Sequence, residues 1–258
     1  MGAMTHNTFL VSSLFENIAQ PDIHSAVLKN AEGVIGLEIY GSGSQLSAIP
    51  IGNATATTVY YPHLASDAFW WTGILAYNPS ADPCDLIVSP FDKDGFPLPQ
   101  ISSSVPANGQ YIGVTTTLKV PPAAVWLQIE ATKPVLGFEM FGNPQGSALA
   151  GFSGTQLSGR QGVFARIEKD GWTGIAMVNL EYDPAIVIMT AYDDGGNIIA
   201  SQDHSLGAHT RTAKYAQEFF LQDISRATYI TYASNRNLAG FLLNGSAEGK
   251  MLNALPAR

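Results

Sequence analysis

Few residues in this chain have the types and spacing that chemistry needs. Asp92-Lys93-Asp94-Gly95 opens like a calcium loop, which gathers carboxylate oxygens around a hard cation. The complete loop also needs a Glu where Ser103 stands. The equivalent stretch, Asp193-Asp194-Gly195-Gly196, lacks the spacing, so both read as tight hairpin turns. The one cofactor left open is a structural Ca²⁺ ion, with Asp67, Asp92, Asp94 and Asp170 as weak ligand candidates. The histidines are His6, His24, His63, His204 and His209, and none forms a zinc-binding H-x-x-x-H or H-E-x-x-H pair. His204 and His209 flank a turn, and surface exposure is expected for them. Gly151-Phe152-Ser153-Gly154 is not the Gly-x-Ser-x-Gly nucleophile elbow. Glu38 and Glu139 occupy equivalent places in separate units, so they are not expected to act as a paired acid and base. No catalytic residue is nominated. The chain is not expected to be an enzyme, and a hydrolase with an unrecognised site is the remote alternative.

Aromatic residues offer more. Tyr60-Tyr61-Pro62-His63 leads into Phe69-Trp70-Trp71. Trp71 recurs as Trp172 and reads as a core residue, whereas Trp70 is surplus. An exposed aromatic can stack on a sugar ring or a partner chain. Tyr60, Tyr61, Phe69 and Trp70 are therefore the candidate ligand-binding residues. The competing and favoured reading of Trp70 is packing, against the N-terminal segment or in a seam between domains.

The elements that must position these residues repeat. Val34-Ile35-Gly36-Leu37-Glu38-Ile39-Tyr40-Gly41 returns as Val135-Leu136-Gly137-Phe138-Glu139-Met140-Phe141-Gly142. A looser copy is Leu238-Ala239-Gly240-Phe241-Leu242-Leu243-Asn244-Gly245. Trp71-Thr72-Gly73-Ile74 returns as Trp172-Thr173-Gly174-Ile175. A unit of about a hundred residues is duplicated. It has a Trp half and a Gly-Phe half, and the N-terminal region holds a Gly-Phe half alone. Short β-branched runs such as Ile186 to Tyr192 alternate with Asp-Gly and Gly-Gly turns, the pattern of antiparallel sheets. Only Ser13 to Ile18 and Gln217 to Ile224 suggest a helical turn.

Composition agrees. Of 258 residues, 46% are hydrophobic and only 13% charged, about half the usual share of charge. Net charge is −8 without a basic stretch, which argues against nucleic acid. The single cysteine, Cys84, excludes an intrachain disulfide and reads as a small buried or edge residue. No run reaches the roughly 18 to 20 apolar residues of a membrane span, so membrane insertion is not expected.

The fold expected is all-β: two tandem antiparallel β-sandwiches plus an N-terminal half-repeat. A single barrel is the alternative that two near-identical halves disfavour. Residues 1–7 read as a disordered tag scar, 8–60 as a half-repeat hairpin packed on the first sandwich, and 61–158 and 159–258 as the two sandwiches. A truncated upstream unit is the other reading of 8–60.

The Trp-Thr-Gly-Ile-Ala-x-Val-Asn run at 172–179, the hairpin at 193–196 and the Leu136 to Gly142 motif together resemble tandem Ig-like β-sandwich repeats. Such repeats occur in large secreted or surface-attached bacterial proteins. The resemblance implies an extracellular spacer, adhesion or accessory binding module. Its partners would be neighbouring repeats and a protein or glycan at the cell surface. A carbohydrate-binding module using the aromatics near Trp70 is the alternative function.

Overall fold

In the computed structural model, the described residues are 6–16, 25–42, 45–52, 54–146, 148–154, 158–248 and 251–257. Residues 1–5 of the expected tag scar, and residues 17–24 (Ile18 and His24 among them), 43–44 and 53 of the expected half-repeat, lie outside them. The chain divides into two units, residues 1–35 and 36–258. In the first, Val11–Phe15 form a 3₁₀ turn, and Phe9, Leu10, Val11 and Leu14 are exposed.

The second unit is built of antiparallel strands. Its first hairpin pairs β1 (Leu37–Ser42) with β2 (Gln45–Pro50). The first repeat comprises β3 (Ala56–Tyr61), β4 (Trp71–Tyr77), β5 (Cys84–Phe91), β6 (Ile101–Val105), β7 (Gln110–Val114), β8 (Trp126–Gly142) and β9 (Leu149–Ser153). The second comprises β10 (Gly159–Phe164), β11 (Gly171–Asn179), β12 (Ala185–Tyr192), β13 (Ile198–Leu206), β14 (Arg211–Tyr215), β15 (Tyr229–Ser246) and β16 (Leu252–Pro256). A 3₁₀ turn, Ala216–Phe219, follows β14.

One long strand organises each repeat. The first part of β8 pairs with β3 and β5, and its second part pairs with β4 and β9. The outer strands β6 and β7 complete two layers, β3-β8-β5-β6 and β7-β4-β8-β9. The second repeat copies this arrangement as β10-β15-β12-β13 and β14-β11-β15-β16. The fold is thus an all-β tandem of sandwich-like repeats. Between the layers of the first lie Val59, Ile74, Leu86, Val88 and Ile129; between those of the second lie Phe164, Ile175, Val187, Met189 and Ile230.

The repeated motifs have structural reasons. Gly142 and Gly245 are glycines because the indoles of Trp71 and Trp172 lie where a Cβ would project. The buried hydroxyl of Thr72 donates to Ala65 O at 2.9 Å and accepts from Ala65 N at 2.8 Å, fixing the loop that enters β4. Asn78 and Asn179, each 0% exposed, close the same network in both copies. Asn179 Nδ2 donates to Asp183 O at 2.8 Å and Gly207 O at 2.9 Å, while its Oδ1 accepts from Glu181 N at 3.1 Å. Asn78 does the same with Asp82 O, Pro106 O and Ser80 N.

The segment 8–60 does not stay together as one element. Residues up to 35 fall in the separate unit, where no strand is found among the described residues. β3 belongs to the first sandwich, because residues 58–61 pair directly with residues 127–130 of β8. Only the β1-β2 hairpin remains. It meets the first sandwich where Tyr40 packs edge-on against Phe138, with ring centroids 6.4 Å apart.

Candidate functional site

The two repeats are docked through side chains. Phe141 and Phe152 of the first stack on Phe241 of the second at 5.4 and 4.6 Å, and Ala148, Ala150, Leu252 and Ala254 fill around them. Nearby, Phe91 stacks on Trp126 at 4.2 Å, and the Trp126 indole N–H donates to His209 O at 2.8 Å across the seam. Val178 of the second repeat packs into the same cluster. Burial of this many large apolar groups fixes the repeats relative to each other.

The seam is not completely filled. A cleft of about 350 Å³ opens beside the phenylalanine stack. The first repeat lines it with His63, Ala65 and Trp70 from the β3–β4 loop and with Phe141. The second contributes Trp172, Lys214, Tyr215, Glu218, Phe241 and Leu243, among others. A second groove, of about 280 Å³, adjoins it; Trp172 and Tyr215 line both. The volume lies within the ~300 to 1,000 Å³ of small-ligand sites. Aromatic walls with a few charged groups at the rim suit a ring that is apolar on its faces and hydroxylated at its edge.

Each wall is held in place. Asp67 Oδ1 accepts from Phe69 N at 2.7 Å and Trp70 N at 2.8 Å, so the loop presents Trp70 in a fixed direction. Glu218 Oε2 accepts from Tyr215 N at 2.7 Å and anchors the start of the 3₁₀ turn. Tyr215 stands edge-on to Trp172 at 5.9 Å. His63 lies under the cleft, with its ring tilted against Phe141 at 5.9 Å and Phe241 at 6.3 Å. Burial, helped by the Arg211 charge, lowers its pKa to about 3. The neutral imidazole therefore accepts at Nδ1 from the Arg211 guanidinium.

The four aromatic candidates have different fates. Trp70 lines the cleft and packs on the seam cluster. Phe69 is 69% exposed beside it. Tyr60 lies with Phe91, Trp126 and Val178 in the other seam cluster, away from the cleft lining. Tyr61 must be withdrawn as a ligand residue: it is 0% exposed and its hydroxyl donates to Leu75 O at 2.6 Å inside the first core. Its register counterpart Phe164 is likewise fully buried. Trp172, Tyr215, Glu218 and Lys214 were missed. Trp172 read as core because it recurs as Trp71, and the others gain meaning only once the repeats dock. His209 departs from the expected surface exposure, since it packs on Phe91 in the seam, where His63 also lies.

The aspartate candidates serve turns. Asp92 Oδ1 accepts from Asp94 N and Phe96 N, each at 2.9 Å, and Asp94 pairs with Lys93 at 2.8 Å. Asp170 O accepts from Ala247 N at 3.3 Å. Among the described residues, no group of three or more His, Cys, Asp or Glu side chains is placed to hold a metal ion. Among the same residues, no helix is long and apolar enough to cross a membrane.

No protein-family model and no curated protein matches the chain. Among solved structures, Thermotoga maritima 1070 is similar over 40% of this chain and 95% of its own, with a TM-score of 0.34 and 10% identity. A β-glucuronidase from glycoside hydrolase family 2 is similar over 77% of this chain, with a TM-score of 0.18 and 10% identity. A Bacteroides uniformis β-glucuronidase is similar over 72%, with a TM-score of 0.18 and 10% identity. The chain spans only 23% and 24% of the length of those two enzymes. At such low scores these likenesses carry no argument about this chain's activity.

Proposed function

We propose that this chain is a non-catalytic interaction module of a secreted or cell-surface protein, and that the seam between its repeats holds a carbohydrate. The observation that supports this reading is the cleft itself, where Trp70, Trp172 and Tyr215 form aromatic walls beside Glu218 and Lys214. Stacking on C–H-rich sugar faces, with charged groups meeting the hydroxyls, is the recognition those residue types support. Both repeats contribute, so the site exists only in the docked pair. The surplus of Trp70 over the repeat pattern fits a residue retained for binding. The extracellular setting is carried by the resemblance to surface-protein repeats.

A glycan array probed with the intact protein tests this. One or more glycans should be retained, and Trp70→Ala should weaken them about tenfold, the loss of roughly 1.4 kcal/mol of stacking and burial. An array without a single retained glycan would remove the proposal. So would a folded Trp70→Ala protein that binds every retained glycan as well as the wild type.

A further inference from the structure

The three Gly-Phe hairpins stack on one another in order. Each has an A face, which bears the Tyr40/Phe141 position, and a B face, which bears the Leu37/Phe138/Phe241 position. The A face of β8-β9 covers the B face of β15-β16 through Phe141 and Phe152 on Phe241. The A face of β1-β2 covers the B face of β8-β9 in the same manner, Tyr40 on Phe138. The A face of β15-β16 is closed within its own core, where Leu242 is 0% exposed and Leu255 packs beside it. Among the described residues, that accounts for every hairpin face but one.

The uncovered face is the B face of β1-β2. Alternation places Leu37, Ile39 and Gly41 on it, and the register Leu37↔Pro50, Ile39↔Ala48, Gly41↔Leu46 adds three more. All six are apolar and exposed, with Leu37 at 57%, Ile39 at 59% and Leu46 at 68%. Their counterparts on the buried hairpins, Phe138, Leu149, Phe241 and Leu252, are no more than 9% exposed. In both of those units, a hairpin of the same kind supplies the cover.

We infer that the B face of the β1-β2 hairpin is a docking surface for a second copy of this chain, B face to B face about a two-fold axis. The partner is identified by continuity with the interfaces already present, in which such hairpins pack on their own kind. Among the described residues, the one such face still free in a solution of this chain is the same face on another copy, so the contact is isologous and closes at two. The leucines can interdigitate with Gly41 and Ala48 of the opposite copy. A face of six residues falls short of the roughly 20 to 30 residues a side of a standard interface, so the association is expected to be weak and reversible.

Sedimentation velocity on the full chain over about 5 to 500 μM reads this out. The wild type should pass from monomer to dimer. Leu46→Asp should remain monomeric throughout, with an unchanged circular dichroism spectrum and melting temperature. Leu221→Asp, at an unrelated position that is 92% exposed, should dimerise like the wild type. A wild type that stays monomeric throughout would overturn the inference. So would a dimer that survives both Leu46→Asp and Ile39→Asp, or a mass that climbs past two, which would mean open head-to-tail association.

Discussion

Glu139 is a carboxylic acid in an apolar core. It is 0% exposed, opposes Ile74 on β4 and Phe152 on β9, and neither carboxyl oxygen has a hydrogen-bond partner. Burial pushes its pKa well above the ordinary carboxylate range, which favours the protonated form. The sign of the linkage follows. In the unfolded chain the group ionises as pH rises through its ordinary value, while the folded protein holds the proton to higher pH. In acid only the unpaired, protonated carboxyl costs stability, and a further cost grows as pH climbs from the ordinary carboxylate pKa towards the raised one. The second repeat has Leu242 at this place, also 0% exposed. Glu139→Leu should therefore stabilise the protein at both pH values, and by about 1 to 3 kcal/mol more at pH 7 than near pH 4. Urea denaturation at the two pH values measures this, and an equal gain at both would refute the account.

At the scale of the elements, the strand ends are locked by buried asparagines. Asn179 ties the end of β11 to the β11–β12 turn and to the end of β13. Removing it strands the buried Leu206 carbonyl and the part-buried carbonyls of Asp183 and Gly207. Asn179→Ala should cost about 2 to 3 kcal/mol in urea denaturation, and Asn78→Ala a similar amount. A cost below about 0.5 kcal/mol, typical of a surface substitution, would show the network to be dispensable. These elements were legible in the sequence because they occur twice. Trp71 and Trp172, Asn78 and Asn179, and the Asp-Gly and Gly-Gly turns all carry the same local physics in each copy. Positive φ at Gly95 and Gly196 is what those turns need. Tyr61 was misread for the opposite reason: its aromatic neighbours suggested a surface cluster, while the buried role of its counterpart Phe164 could be recognised only from strand register. Residues 8–60 were read as one piece because the repeat marked only where the hairpin motif begins.

At the scale of the molecule, the repeats work as a docked pair. The seam brings Trp70 from one repeat against Trp172 and Tyr215 from the other, a juxtaposition that no local pattern encodes. Docking also explains why His63 is held neutral and why the Trp126 indole N–H reaches a backbone carbonyl of the other repeat. What the repeat pattern did mark was the departure, since Trp70 breaks it and Trp70 lines the cleft. The chain has 4 tryptophans, and they divide cleanly for a test: Trp70 and Trp172 face the cleft, Trp71 lies over Gly142, and Trp126 is sealed in the seam. Each gives an indole N–H signal in the nitrogen–proton correlation spectrum. Titration with a glycan retained on the array should move the Trp70 and Trp172 signals and leave those of Trp71 and Trp126 in place. Binding that leaves Trp70 and Trp172 unmoved would contradict the assignment of the seam cleft as the binding site.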